Sequence, residues 1–313
     1  MNLYFMINPA AKNGRSVSIW KQLQPLLDRE GIAYQAYWTT RKGEGKEIAR
    51  RIGEESAEPT VIAAVGGDGT VHEVVNGAGS FPHVAIGCIP AGTGNDFVRG
   101  FRLARTSKQA LQRLLSDVRL GRVLSFDLGR FASSAVPDGA FANSVGCGFD
   151  AHIARMANRS AWKGRFNRFG LGSLIYVLYL VIELFRYRPV DLDICIDGRN
   201  YSFQQAWMAT VSNHPYYGGG MRIAPSARGD DGLLHVTVVG PMPRWKILAL
   251  FLTVFWGGHV RMKEVCVFTG RNVRIRPAAP VPVHADGEEA GVGEVSAWIE
   301  AKRMRVIGAE LGG

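Results

Sequence analysis

Residues 61–76 constrain the fold more than any other stretch. Val61-Ile62-Ala63-Ala64-Val65 is an apolar run that passes directly into Gly66-Gly67-Asp68-Gly69-Thr70, and Val71-His72-Glu73-Val74-Val75-Asn76 then resumes apolar positions at helical spacing. A strand, a glycine-rich turn and a helix in that order make backbone N–H groups converge on one point. Glycine lets the chain turn sharply and lets an anion approach the main chain, while the helix N-terminus adds partial positive charge. Asp68 is the odd member, because a carboxylate repels phosphate unless a cation lies between them. A magnesium-bound nucleotide resolves that conflict.

The pattern recurs. Ala85-Ile86-Gly87-Cys88-Ile89 leads into Pro90-Ala91-Gly92-Thr93-Gly94-Asn95-Asp96-Phe97, again a strand followed by glycine, a hydroxyl and a carboxylate. Either loop alone could be an ordinary tight turn. Two of them, each with an acid, after successive strands, argue for a ligand at the strand ends of an open α/β sheet. The common nucleotide fingerprints fail: Asn8 to Ser16 resembles a Walker A loop, but Pro9 stands for its first glycine and Arg15 for its lysine. Gly92-Thr93-Gly94 runs on to Phe97 where a dinucleotide fingerprint needs a third glycine.

At 313 residues the chain is long enough for two cores, since domains usually hold roughly 100 to 200 residues. From the start to about Val123, strands expected at 3–7, 33–38, 60–65 and 84–89 alternate with helices at 16–27, 43–52, 70–76 and 106–115, which predicts a parallel sheet covered by helices. Beyond Leu124 the pattern turns β-rich. Leu192, Ile194 and Ile196, then Asp197-Gly198, then Tyr201 and Phe203 read as a hairpin, with further strands at 205–212, 233–239, 265–268, 273–275 and 281–284. The expected organisation is a nucleotide-binding α/β domain over 1–124 and a β-rich domain with helical insertions over 125–313.

The formal charge of +10 favours an anionic partner but does not choose among nucleotide, nucleic acid and acidic membrane. Acids in both glycine loops would repel a polynucleotide, which argues against nucleic acid. Four scattered cysteines without a CxxC pair indicate neither a disulfide framework nor a zinc knuckle. Met1 to Pro9 reads as a first strand, so no export is expected and the cytoplasm is the expected compartment. Two apolar segments, 169–182 and 247–256, are shorter than the ~20 residues of a spanning helix.

Asn8-Pro9, Gly66 to Thr70 and Pro90 to Phe97, with Asp127, Asp231-Gly232-Leu233 and Asp286-Gly287-Glu288 following in order, resemble the diacylglycerol kinase catalytic-domain family of soluble lipid kinases, over nearly the whole chain. The fold that this implies joins an N-terminal α/β domain like that of NAD kinases and phosphofructokinases to a C-terminal β-sandwich-like domain with helical insertions, with the option that the last ~15 residues return to the first domain. The activity implied is ATP-dependent phosphorylation of a lipid hydroxyl, with diacylglycerol first and a sphingoid base, ceramide or phosphatidylglycerol as alternatives. By the same resemblance Asn8, Thr39, Gly66, Gly67, Asp68, Gly69, Thr70, Thr93, Asn95 and Asp96 hold the nucleotide and its Mg2+. Arg228, Asp231 and Leu233 would hold a structural Mg2+ through one carboxylate and backbone carbonyls. Asp286 or Glu288 would be the base, with Asp68 also catalytic. On an extended segment residues two apart face the same way, so both acids could address one substrate, and a solvated β-turn is the other outcome.

Arg155, Arg159, Lys163, Arg165 and Arg168 precede the first apolar segment. Charge beside grease suits peripheral attachment to the inner, anionic face of a membrane. A solvated basic face before a buried helix would read the same way. The segment is apolar around most of its circumference, so it is expected to be covered nearly all round, by protein on one side and a lipid chain on another, in an acyl-chain pocket of the second domain. A homodimer is compatible with the composition.

Overall fold

The protein, a computed structural model, is described at residues 1–159 and 172–310. It divides into two compact units, Met1–Leu128 with the segment from Ala301 onward, and Gly129–Glu300.

In the first unit, β1 (Asn2–Ile7), α1 (Arg15–Arg29), β2 (Gln35–Trp38), α2 (Glu44–Glu55), β3 (Thr60–Gly66), α3 (Asp68–Ala78) and β4 (Val84–Pro90) alternate, followed by the short α4 (Asp96–Gly100) and α5 (Ser107–Leu120). The strands pair in parallel in the order β2-β1-β3-β4. Every residue of β3 and β4 is buried, as befits a parallel sheet with helices on both faces. Phe5, Ile7, Trp20, Leu23, Leu111 and Leu114 belong to one buried cluster that joins the strands to α1 and α5. Thr106 caps α5 by accepting from the Gln109 N–H, and Gly121 in the left-handed region ends it.

The second unit begins within β5 (Leu124–Ser133), continues through β6 (Gly139–Phe141), β7 (Ser144–Gly148), α6 (Phe149–Arg159), α7 (Gly172–Arg186), β8 (Val190–Ile196), β9 (Arg199–Ala206), β10 (Met208–Ser212), β11 (Tyr216–Tyr217), β12 (Met221–Arg222), β13 (Leu234–Val239), α8 (Arg244–Thr253), β14 (Val265–Gly270), β15 (Asn272–Pro277), β16 (Pro282–Ala285) and β17 (Glu288–Val292), and enters β18 (Val295–Val306). One antiparallel layer has the order β14-β13-β10-β7-β16-β17, and the other pairs the first part of β18 with β15, β8 and β9. Val145, Val211, Val236 and Val283 from the first layer share a buried cluster with Leu192, Ile194, Val273 and Ile275 from the second, which makes a sandwich. A separate cluster packs α6, α7 and α8 through Phe149, Ile153, Leu180, Leu184, Ile247 and Leu250 against Trp207 and Val239.

One expectation needs correcting. The strand expected over 205–212 is two strands, because the chain leaves β9 at Ala206 and enters the other layer at Met208, with Gln205 bent to φ 46°. Protein covers one side of the apolar helix, where Leu180 and Leu184 are buried, and Leu178, Val181, Ile182 and Phe185 are exposed on the other. Of the basic stretch before it, Lys163, Arg165 and Arg168 lie outside the described residues, as do residues 169–171.

Candidate active site

The parallel sheet ends its strands along one edge, and the first-unit residues singled out above follow those ends. Asn8 comes directly after β1, Thr39 after β2, Gly67 after β3 and Ala91 after β4. Hydrogen bonds tie these turns together. Asn8 donates from Nδ2 to Thr70 Oγ1 at 3.3 Å, and the Thr39 N–H donates to the Ile7 carbonyl at 2.9 Å. The Ala91 and Gly92 N–H groups both donate to the Gly66 carbonyl, at 2.8 and 3.1 Å. The two glycine loops also meet without side chains between them: a Cβ on Gly92 would lie 2.4 Å from the Gly67 Cα. Glycine is required there by space.

Charge at this edge is arranged as well. Asp68 opens α3 and its Oδ1 accepts the Phe97 N–H at 3.1 Å, which links the first loop to the second. Asp96 is buried and pairs with Arg99 at 3.0 Å. Arg99 also donates to the Gly94 carbonyl, closing the turn around Thr93, which is exposed. Asn95 sits in the left-handed region at φ 53°, donates from Nδ2 to the Gly92 carbonyl at 3.3 Å, and leaves its buried Oδ1 without a protein partner. Such an arrangement offers glycine N–H groups and a helix start to phosphate, with carboxylates where a hard cation could bridge.

Glu73 was not singled out from the sequence, yet it positions this edge. From α3 its two carboxylate oxygens accept the Gly43 and Gly45 N–H groups, at 2.7 and 2.9 Å, and so fix the start of α2 and the loop after Thr39. The cap comes from some thirty residues away, outside the reach of local capping patterns. Cys88, on β4, is held as a thiol: burial, then the Asp68 charge, push its pKa up.

In the second unit, Asp286 and Gly287 are the two central residues of the β16–β17 hairpin, at φ 51° and 83°, with Ala285 opposite Glu288. That is a tight turn with both central residues left-handed, not an extended segment, so the two acids do not share a face by strand alternation. Their surroundings differ. The Asp286 carboxylate accepts three backbone N–H bonds, from Ala142 at 3.0 Å, Asn143 at 2.8 Å and Ser144 at 3.1 Å. Glu288 is half-buried at the start of β17. Next to the turn, α6 contributes Asn158, which donates to the Gly287 carbonyl at 3.2 Å, and Arg155, 3.4 Å from Glu289.

Buried polar groups support that hairpin. His214 accepts the Tyr216 N–H at Nδ1 (3.1 Å), so its Nε2–H donates to Asn143 Oδ1 at 2.7 Å and the ring is neutral. Burial lowers its pKa to about 4 against the opposing pull of Asp286. His284 contacts Asp150 at 3.1 Å, and Thr210 donates to the same Asp150 oxygen at 3.0 Å.

Asp231 lies in the loop before β13, where Oδ1 accepts the Leu233 N–H at 3.0 Å and Oδ2 lies 3.3 Å from His235 Nε2. Arg228 is exposed and pairs with Asp230 at 3.2 Å. Among the described residues no three His, Cys, Asp or Glu side chains cluster as a metal cage. An Asp231 carboxylate joined by the Arg228 and Leu233 carbonyls would be an all-oxygen donor set, the chemistry that a hard cation takes, and both Asp231 oxygens already face protein groups, the Leu233 N–H and His235. Asp127 is fully buried and accepts the Lys302 N–H at 2.8 Å, a main-chain clamp.

Comparison with known proteins matches residues 2–130 to the diacylglycerol kinase catalytic domain and residues 143–308 to the YegS C-terminal NAD kinase beta sandwich-like domain. YtlR of Bacillus subtilis, provisionally named a lipid kinase, is 30% identical over 291 residues, 92% of this chain and 93% of its own. A diacylglycerol kinase of Mycobacterium tuberculosis is 33% identical over 230 residues, 73% of this chain and 70% of its own. A crystal structure of a provisionally named diacylglycerol kinase from Bacillus anthracis superposes with a TM-score of 0.76 at 21% identity, over 98% of this chain and 94% of that one, and thus has the same fold.

Proposed function

This chain belongs to the diacylglycerol kinase family of lipid kinases, and we propose that it transfers the γ-phosphoryl group of ATP to a lipid hydroxyl, diacylglycerol first among the candidates. The observation that carries this reading is the convergence of Asn8, Gly67 to Thr70 and Gly92 to Asp96 at the strand ends of the first unit. Glycine N–H groups and the start of α3 receive phosphate oxygens there, and Asn8 and Thr70 orient each other at its margin. Mg2+, when bound, would neutralise phosphate charge beside Asp68 and Asp96.

In the transfer, the lipid oxygen forms a bond to the γ-phosphorus as the bond to the bridging β–γ oxygen breaks, and ADP leaves. The hydroxyl proton passes to a carboxylate. We assign that role to Glu288, because three backbone N–H groups already occupy the Asp286 carboxylate, which makes Asp286 the residue that positions the hairpin. Asp231, with the Arg228 and Leu233 carbonyls, would bind a second Mg2+ that stiffens the loop before β13.

The test is transfer from labelled ATP, with magnesium, to vesicles containing diacylglycerol, a sphingoid base, ceramide or phosphatidylglycerol. Labelled phosphatidic acid is the expected product. Label on another lipid would move the acceptor assignment, and label on none would overturn the function. Asp68→Ala should abolish transfer while leaving the circular-dichroism spectrum unchanged.

A further inference from the structure

In the second unit α7 and α8 carry apolar side chains on faces that the protein leaves bare. On α8 Ile247 and Leu250 are buried, while Trp245 (65% exposed), Leu248 and Leu252 (61%) form the opposite stripe, continued just past the helix by Phe255 and Trp256 (64%). On α7 Leu178, Val181, Ile182 and Phe185 (68%) recur at three- and four-residue spacing and are exposed. The helices are joined, since Arg244 at the start of α8 donates to the Leu184 carbonyl near the end of α7 at 3.0 Å. Large apolar side chains grouped in this way, unlike scattered ones, mark an interaction surface.

The surrounding charge identifies the partner. Arg186, Arg188, Arg244, Arg261 and Lys263 are exposed at the ends of these helices and just beyond them. The acids among them are already paired: Glu183 is buried against His152 and Arg186, and Glu264 holds Lys246 at 2.6 Å. Tryptophans at the rim, an aliphatic and phenylalanine centre and a cationic border match a bilayer, with indoles at the head-group level and arginines and lysines toward anionic phosphates. A protein partner of ordinary composition would not call for a one-signed border. Among the described residues no helix is long and apolar enough to cross a membrane, so these helices would lie on the surface.

We propose that the exposed faces of α7 and α8 form the docking surface by which this protein sits on a bilayer rich in anionic phospholipid. Its use, delivery of a lipid acceptor, rests on the lipid-kinase reading; its existence does not. The experiment is co-sedimentation with vesicles of phosphatidylglycerol and phosphatidylcholine that contain no diacylglycerol, with pure phosphatidylcholine as the neutral control. Turnover of a short-chain, water-soluble diacylglycerol is measured in parallel. The protein should pellet with anionic vesicles, and less so as salt rises. The triple substitution Trp245→Ser, Leu252→Ser, Trp256→Ser should weaken partitioning by about tenfold or more, with unchanged circular dichroism and unchanged turnover of the soluble acceptor. Arg261→Glu with Lys263→Glu, which leaves the apolar faces intact, should remove the preference for anionic over neutral vesicles. Equal partitioning of the wild type and both variants, or no binding by the wild type, would overturn the surface even if turnover is normal. A dimer in sedimentation equilibrium that the triple substitution disperses, with vesicle binding unaltered, would assign the face to self-association and overturn it too. Vesicle binding that both variants impair, without phosphorylation of any lipid, would leave the surface standing and remove the kinase reading.

Discussion

Asp286 and Glu288 are two residues apart and carry the same functional group, yet their surroundings predict opposite mutational outcomes. Asp286→Asn places an amide NH2 where the carboxylate now meets backbone N–H donors. The expected result is a loss of about 1–3 kcal/mol in denaturant unfolding, with any loss of turnover following from the displaced hairpin. Glu288→Gln should leave that stability unchanged and lower kcat by about 10²–10⁴-fold, and steady-state kinetics beside urea melts separates the two. His214 yields a pH prediction. Its folded-state pKa, lowered by burial to about 4 from the ordinary 6.5 of a histidine, means that the unfolded chain binds the proton more readily. Its contribution to stability is therefore complete above about pH 6.5 and is lost as the pH falls from there toward 4. Replacing His214 with Gln, whose amide can still donate to Asn143, should flatten that part of the stability profile.

Within single elements the strand–turn–helix signal was legible at Gly66 to Thr70 because every part of it is local: an apolar run, glycines, then helical spacing. Its dependence on Gly92 was not, because the Gly67–Gly92 approach is set by strand pairing and leaves no mark on either loop alone. Gly92→Ala should therefore force the loops apart. The expected result is a raised KM for ATP with a lowered melting temperature, whereas Gly121→Asn at the αL end of α5, far along the chain from either loop, should leave KM unchanged. The 286–288 turn shows a different limit. Asp-Gly flanked by strand-forming residues announces a hairpin, but that the Asp side chain would collect three N–H bonds from residues 142–144 depends on β7 and β16 being neighbours. Likewise, α7 read as greasy all round, and sequence alone does not distinguish a face covered by protein from one left bare.

For the molecule as a whole, the first unit is not contiguous in sequence. β18 gives its first part to the sandwich and its last part to the parallel sheet, where Arg305 and Val306 pair beside Ala85 and Ile86. Met304, Val306 and Ile307 are buried there, and Asp117 accepts the Gly308 N–H at 3.1 Å. Ending the chain at Glu300 should leave β4 as a bare edge and remove those contacts; the expected outcome is a lower melting temperature and weaker ATP binding, read by calorimetry with and without nucleotide. On the ribosome the same arrangement sets an order of events. Residues 1–128 emerge early but must wait for the whole of 129–300 before the strand that flanks β4 exists. The first unit is thus the earlier of the two to be started and the later to be completed, and a nascent chain stalled anywhere in the sandwich would display an unfinished sheet to chaperones.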